Sequence, residues 1–301
     1  MASTGFIGTG TIGGPMALRL LDREPELQVY DISPAAIEAH VGAGAIAADS
    51  MAALAHDCET VFLSLPGPAQ IEAVVLGDDG LLAHAGAMRT IVDLSTNALA
   101  LNRRIAALAE AQGIAYLDAP VSGGKVAAKD GKLAVMIGGD EAAFERVRPL
   151  IESFGQHISY MGPPGSGTLT KLVNNQIFLC ASVLVQEGFV MGVKAGMEPA
   201  ALLEVLKASS AGPMVARAPL VLSRNFNLDV FALSIAAKDV GVALESGRDV
   251  GASMPLTAAA HDVYEQAIDA GLGGEDFFAT VKILEAAAGV EMPPLKPGSE
   301  S

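Results

Sequence analysis

Lys171 and Asn175 stand four residues apart in GSGTLTKLVNNQ, the stretch from Gly165 to Gln176, and the apolar run IFLCASVLV follows directly. On a helix the two share one face, and the same stripe continues through Ser182 and Gln186. The remaining faces carry Leu172, Val173, Ile177, Phe178, Leu179, Val183 and Leu184, so one polar stripe on an otherwise apolar helix predicts a polar cleft. An amine held there loses solvation, which lowers its pKa toward the range that a general acid/base needs near neutrality. The plainer alternative is a lysine that snorkels to solvent while Asn175 caps a neighbour.

A second group of residues has chemistry of its own. GFIGTGTIGGPMALRLL places Gly8, Gly10 and Gly13 in G-x-G-x-x-G spacing between a strand and an amphipathic helix, with Thr11 and Ile12 inside the loop. One glycine turns tightly, one lets a pyrophosphate approach the backbone, one packs helix on strand, and the helix N-terminus supplies N–H donors. The next strand, LQVYD, ends in Asp31, where a carboxylate accepts from the ribose hydroxyls of a dinucleotide. Ile32 and Ser33 follow, with no arginine for a 2′-phosphate, so the pattern favours NAD over NADP. Against this stands a glycine-rich turn followed by an ordinary surface aspartate.

These groups need elements to position them. Up to Tyr160 the short runs TGFIG, LQVYD, TVFLSL, TIVDLS and IAYLD alternate with Ala- and Leu-rich stretches, which predicts βαβ units and a mainly parallel sheet. Ser33-Pro34 reads as an N-cap with a first-turn proline, and Pro66, Gly67 and Pro68 punctuate the exit from TVFLSL. KLAVMIGG and QHISYM read as two last strands around an amphipathic helix opened by Asp140. After the Gly/Pro stretch MGPPGSG the chain reads as helices and short loops. The expected organisation is α/β: a doubly wound, Rossmann-type dinucleotide domain over 1–163, then an all-helical domain over 164–301 for substrate binding and oligomerisation. That second domain opens with a buried core helix from Thr168 to Lys194, and its tail, 292–301, is expected to be disordered.

Composition narrows the function further. The chain has 301 residues, 51% hydrophobic and 18% charged, enough for two well-buried cores. Its 19 basic and 34 acidic residues give a formal charge of −15, a field that repels nucleic acid and anionic membranes. Ile177 to Val193 is interrupted by Ser182, Gln186 and Glu187, too polar for a bilayer span, and no signal peptide is visible at the N-terminus. Cys58 and Cys180 make no disulfide framework, so free thiols and a cytoplasmic location are expected, with no metal ion.

Taken together, GTGTIGGPMA, then DAPVSGG at Asp118 to Gly124, then GSGTLTKLVNN, then AAKDVGVAL around Lys238 and Asp239 resemble the β-hydroxyacid dehydrogenases, the 3-hydroxyisobutyrate dehydrogenase family. The motifs fall in the family's order across nearly the whole chain. The resemblance implies that Lys171 is the proton donor and acceptor for the substrate oxygen and that Asn175 hydrogen-bonds substrate. It implies that Ser122, Gly123 and Gly124 hold a carboxylate, and bare glycine N–H groups beside a hydroxyl suit that task. Leu65, Pro66 and Gln70 match a segment along the adenosine side of the cofactor, and Thr96 and Lys238 match contacts near the nicotinamide. By sequence alone DLST is also an N-cap for a helix beginning near Ala98, and Lys238 is a surface lysine.

Two departures bear on substrate. Ile12 replaces the family's usual methionine, a conservative swap. Asn174 stands where phosphogluconate dehydrogenases, which resemble this family, carry histidine, which argues against a phosphorylated sugar acid; Lys171 argues against the imine reductases, which lack it. The expected reaction is NAD-linked oxidation of a small 3-hydroxy acid by a homodimer or homotetramer. The alternatives are an NADPH-dependent semialdehyde or glyoxylate reductase of the same family, or a dinucleotide-binding protein without turnover. Met214, Phe231 and Phe278 are candidates for the far end of the substrate, with ordinary core as the plainer reading of each.

Overall fold

The computed structural model describes residues 3–227 and 231–295, which fall into two compact units, Met1–Leu172 and Val173–Ser301. In the first unit nine strands form one sheet: β1 (Thr4–Ile7), β2 (Gln28–Tyr30), β3 (Ile46–Ala47), β4 (Thr60–Leu63), β5 (Thr90–Asp93), β6 (Ala115–Asp118), β7 (Val121–Ser122), β8 (Leu133–Gly138) and β9 (Gly155–Gly162). The order β3-β2-β1-β4-β5-β6 is parallel throughout, the doubly wound arrangement that carries dinucleotides. β8 runs antiparallel to β6 and β7, and β9 pairs parallel with β8.

Strand periodicity builds two cores from this sheet. Phe6, Phe62, Val92 and Leu117 point to one face, where Met16, Leu20, Phe144 and Phe154 cover them. Their neighbours Ile7, Leu63, Ile91 and Tyr116 point to the other, against Leu54, Ile71 and Ile105. Both faces are therefore buried, which is why every residue of β1, β4 and β5 is buried and apolar residues fill consecutive positions in each. The two-residue strands β3 and β7 carry too little pattern to be foreseen. β7 lies inside DAPVSGG, so this segment is part of the sheet and not merely a loop.

Several local expectations change. Ser33 precedes the helix Pro34–Gly42, but its side chain makes no capping bond; its N–H donates to Asp31 Oδ1 at 2.9 Å instead. DLST does not cap the next helix, Leu99–Glu110: Ala98 occupies that position, and Asn97 Oδ1 accepts the Ala98 N–H at 2.8 Å. Asp140 does cap the helix Glu141–Ile151, accepting from Ala143 at 2.7 Å.

The second unit packs Leu179, Val183, Phe189, Leu203, Leu222, Val240, Tyr264 and Phe277 into a single core. Its opening helix, Ser166–Lys194, begins in the first unit and runs on into the second. By length and composition this helix passes as a membrane span, yet Leu179, Val183, Phe189 and Val190 are buried in the core. It is not buried all round, as expected above: Ile177, Leu184 and Met191 are 62%, 67% and 72% exposed. The tail also differs in part. Met292 is buried with its N–H on Glu285 Oε1, and the Leu295 N–H reaches Leu222, so 292–295 are ordered by packing. Residues 296–301 lie outside the described residues.

Candidate active site

The glycine loop separates three roles among three glycines. Gly8 has φ +92°, and a Cβ there would lie 2.2 Å from the Ser64 carbonyl oxygen. A Cβ on Gly13 would lie 1.9 Å from the Gly8 oxygen. Both are imposed by the protein's own packing. Gly10 is different: it is exposed and a Cβ would meet nothing within 4 Å, so the protein's own packing does not require the missing side chain and the backbone there is open to approach. Exposed Thr11 and half-buried Ile12 lead into the nine-residue helix Gly13–Leu21, whose N-terminus opens on this loop.

Asp31 is fixed beside it. Its Oδ2 accepts the Thr9 N–H at 2.8 Å and its Oδ1 accepts the Ser33 N–H. A carboxylate gripped by backbone donors keeps further lone pairs for hydroxyls. The next residue, Ile32, is 92% exposed, an apolar side chain left beside that carboxylate. On the far side of the loop the Leu65 N–H donates to Ser95 Oγ at 2.9 Å, tying the β4 exit to the DLST turn that holds half-buried Thr96. Pro66 and Gln70 are exposed along the same exit. An open glycine, an oriented acid and an exposed apolar neighbour fit the pyrophosphate, ribose and base of a dinucleotide.

The C-terminal ends of β5 and β6 carry two buried carboxylates that face each other in register, Asp93 and Asp118. Burial raises the Asp93 pKa, against hydrogen bonds from Ser95, Tyr116 and Asn97; the Tyr116 hydroxyl donates to it at 2.7 Å. Asp118 reaches the start of the long helix. Its Oδ1 accepts the Gly165 N–H at 2.9 Å and its Oδ2 the Thr168 N–H at 2.7 Å. Burial pushes its pKa up to about 6 in spite of those bonds. The fit is tight: a Cβ on Gly167 would lie 2.2 Å from the Met136 oxygen and 2.5 Å from the Asp118 carbonyl oxygen. The spaced glycines of GSG are thus explained by packing of the helix start on β6 and β8, with Gly165 at φ +94° making the turn.

Lys171 follows three residues after Thr168 and is half-buried. Four residues after Asp118 stands Ser122, half-buried in β7, with Gly123 and Gly124 exposed at φ +134° and +72°. Asp118 is therefore the bond between the segment that carries Ser122 and the helix that carries Lys171.

In the second unit Asn175 is 7% exposed, and its Nδ2 donates to Asp239 Oδ2 at 2.7 Å. Asn174 Nδ2 donates to Asn175 Oδ1, leaving Asn175 one amide hydrogen to offer. Lys238 is not a free surface lysine: its Nζ lies 2.8 Å from Asp239 Oδ1. The polar stripe ends sooner than its spacing suggests, because Gln186 is fully buried, donating to Ser182 and accepting from Thr280 at 2.8 Å. Its lower half is core hydrogen bonding. Met214 is exposed, Phe278 buried and Phe231 half-buried; Met214 and Phe278 line one pocket.

Known proteins match both halves of the chain. Residues 3–162 match the family model for the NAD-binding domain of 6-phosphogluconate dehydrogenase, and 165–284 the one described as NAD-binding of NADP-dependent 3-hydroxyisobutyrate dehydrogenase. A 3-hydroxyisobutyrate dehydrogenase of Pseudomonas aeruginosa is 36% identical over 293 residues, 94% of this chain and 98% of that protein. The chain belongs to the 3-hydroxyisobutyrate dehydrogenase family. A 2-(hydroxymethyl)glutarate dehydrogenase of Eubacterium barkeri is 35% identical over 291 residues, 96% of each chain. Among solved structures, the 3-hydroxyisobutyrate dehydrogenase of Mycobacterium tuberculosis with L-serine is similar at a TM-score of 0.85 and 28% identity, covering 94% of this chain and 99% of that one.

For this member of the 3-hydroxyisobutyrate dehydrogenase family, three acids escaped sequence reasoning as positioning groups: Asp93, Asp118 and Asp239. A signal was present for each. Asp93 and Asp118 end apolar strands, and Asp239 sits among Ala236, Ala237 and Val240 on a buried helix face, where an acid needs a partner.

Proposed function

We propose that this hydroxyacid dehydrogenase oxidises the hydroxyl on the β-carbon of a small 3-hydroxy carboxylic acid, with NAD in preference to NADP. The observation that carries the reading is the locked start of the helix Ser166–Lys194: Asp118 holds Gly165 and Thr168, so Lys171 and Asn175 project from a fixed turn. The named activities of the relatives, on 3-hydroxyisobutyrate and 2-(hydroxymethyl)glutarate, support the substrate class.

The residues divide the work as follows. Gly8, Gly10, Thr11, Ile12, Gly13 and Asp31 bind the dinucleotide with Leu65, Pro66, Gln70, Thr96 and Lys238, and NAD supplies the hydride acceptor when bound. Ser122, Gly123 and Gly124 take the substrate carboxylate with a hydroxyl and N–H donors. The remaining Asn175 amide hydrogen donates to the substrate oxygen. Lys171 Nζ takes the hydroxyl proton in the oxidative direction and returns it in the reductive one, a step worth roughly 10²–10⁴-fold. A 2′-phosphate would bring negative charge against the Asp31 carboxylate with exposed, uncharged Ile32 alongside, which supports NAD.

Initial rates test this. NAD and NADP are each offered with 3-hydroxyisobutyrate, 3-hydroxypropionate, serine, glycerate and 2-(hydroxymethyl)glutarate, and the corresponding aldehydes in reverse. An NAD-linked rate on a 3-hydroxy acid is expected; silence across the panel with NAD bound, or a higher kcat/KM with NADP, overturns the corresponding part.

A further inference from the structure

A pocket of about 300 Å³ opens in the second unit along the helix that carries Asn175. That volume is at the lower end of the roughly 300–1,000 Å³ of small-ligand sites. Its walls are apolar, with Phe178, Met214, Val221 and Phe278 among them, and Asn174 and Ser182 add polar groups. Arg217 is the sole charged side chain among the described lining residues. Its guanidinium lies 5.1 Å from the centroid of the Phe178 ring. Stacking on an aromatic face holds the plane of the guanidinium while its N–H edge stays available, the geometry that receives a carboxylate with two parallel bonds.

The pocket's place on the helix links it to the chemistry. Asn174 is three residues beyond Lys171, and Phe178 is seven, two turns along the same face and roughly 10 Å up the axis. An arm of two or three carbons plus the reach of the arginine spans such a gap. The chain's formal charge of −15 opposes anions in general, so it is the local cation in an apolar pocket, Arg217, that selects for one.

We infer that Arg217 makes this pocket a subsite for a second carboxylate, so that the preferred substrates are 3-hydroxy acids whose C2 substituent is a short methylene arm ending in an anion. This rests on the proposed reaction for its kinetic form. Apolar walls take the methylenes, Arg217 takes the distal charge, and Ser182, whose hydroxyl proton is not used by Gln186, offers a further donor. A neutral arm of equal length would forgo this charge pair, while Arg217, exposed at the pocket, would keep its water.

The test compares wild type with Arg217→Met, which keeps the apolar bulk, and Arg217→Lys, which keeps the charge. With 2-(hydroxymethyl)glutarate the Met variant is expected to lose about ten- to hundredfold in kcat/KM, chiefly through KM, while 3-hydroxyisobutyrate changes by less than about threefold. The Lys variant should recover part of the loss. Equal losses on both substrates, or a wild-type preference for the monoanion, overturn the inference while leaving the reaction class intact. Calorimetry with glutarate and with butyrate in the presence of NAD reads the subsite without turnover. Glutarate should bind wild type more tightly than the Met variant, and butyrate should not distinguish them. If neither acid is oxidised but glutarate binding depends on Arg217, the proposed reaction fails and the subsite stands; if glutarate binding is absent or indifferent to Arg217, the subsite fails.

Discussion

The carboxylate of Asp118 accepts the N–H of Thr168 at 2.7 Å across fifty residues of chain, one turn before Lys171. Its other oxygen accepts from Gly165, so a strand-end acid from β6 serves as the cap of the long helix. An asparagine at 118 keeps one acceptor and turns an NH₂ group toward the second N–H. Asp118→Asn should therefore loosen the first turn and lower kcat by about tenfold or more, with the NAD Kd unchanged. Unaltered turnover would remove Asp118 as a positioning residue.

The same acid makes stability depend on pH. Its folded pKa, about 6, lies above the ordinary value of 3.8, so its contribution to stability is fully present below about pH 4 and is lost as pH rises through 6. Two units correspond to about 3 kcal/mol. Between pH 4 and pH 7 the stability of Asp118→Asn relative to wild type should improve by about that amount. Urea unfolding of both proteins at the two pH values measures it, and a gap independent of pH would place the Asp118 pKa back in the usual carboxylate range.

Lys171→Ala removes the proposed proton acceptor but leaves the glycine loop and Asp31 intact. The expected loss is about 10²–10⁴-fold in kcat, with NAD affinity retained by fluorescence titration. A variant within about tenfold of wild type would assign the proton to another group.

The glycines can be told apart experimentally. Gly10→Ala adds a methyl where the protein has nothing within 4 Å, so its Tm should stay within a degree or two while NAD binding weakens by about tenfold or more. Gly13→Ala adds one 1.9 Å from a backbone oxygen, and overpacking of that kind costs about 1–3 kcal/mol or more. Thermal melts and NAD titrations of the two variants should give opposite patterns. Equal Tm losses would mean that Gly10 is also a packing residue.

What could be read from the sequence divides along local and non-local lines. The glycine loop, Asp31 and the alternation of β-branched and Ala-rich runs are local signals, and they led directly to the parallel sheet. Bonds that join distant segments were out of reach. Nothing in the spacing of DAPVSGG and GSGTLTK says that Asp118 caps the second from the first, nor that Gly167 presses on Met136. Helical periodicity likewise put Lys171, Asn175 and Gln186 on one stripe but could not tell a cleft from a core; Thr280, 94 residues from Gln186, decides that. The caps expected at Ser33 and in DLST are displaced by different local acceptors. The Ala36 N–H goes to the Ser33 carbonyl oxygen, and the Ala98 N–H goes to Asn97 Oδ1.

The helix Ser166–Lys194 leaves Ile177, Leu184 and Met191 exposed at seven-residue spacing, which keeps them on one stripe. Each such side chain gains about 1.5–3 kcal/mol when fully buried, so a second copy presenting the same stripe is a strong partner by a two-fold axis. A homodimer or homotetramer is therefore expected by light scattering. Leu184→Glu with Met191→Glu places like charges where the copies would meet, away from Lys171, Asn175 and the Asp239 pair. That double variant should shift to monomer with its far-UV circular dichroism unchanged. A wild type that is monomeric at micromolar concentration, or a double variant that keeps its oligomeric mass, would show that the stripe is not the interface.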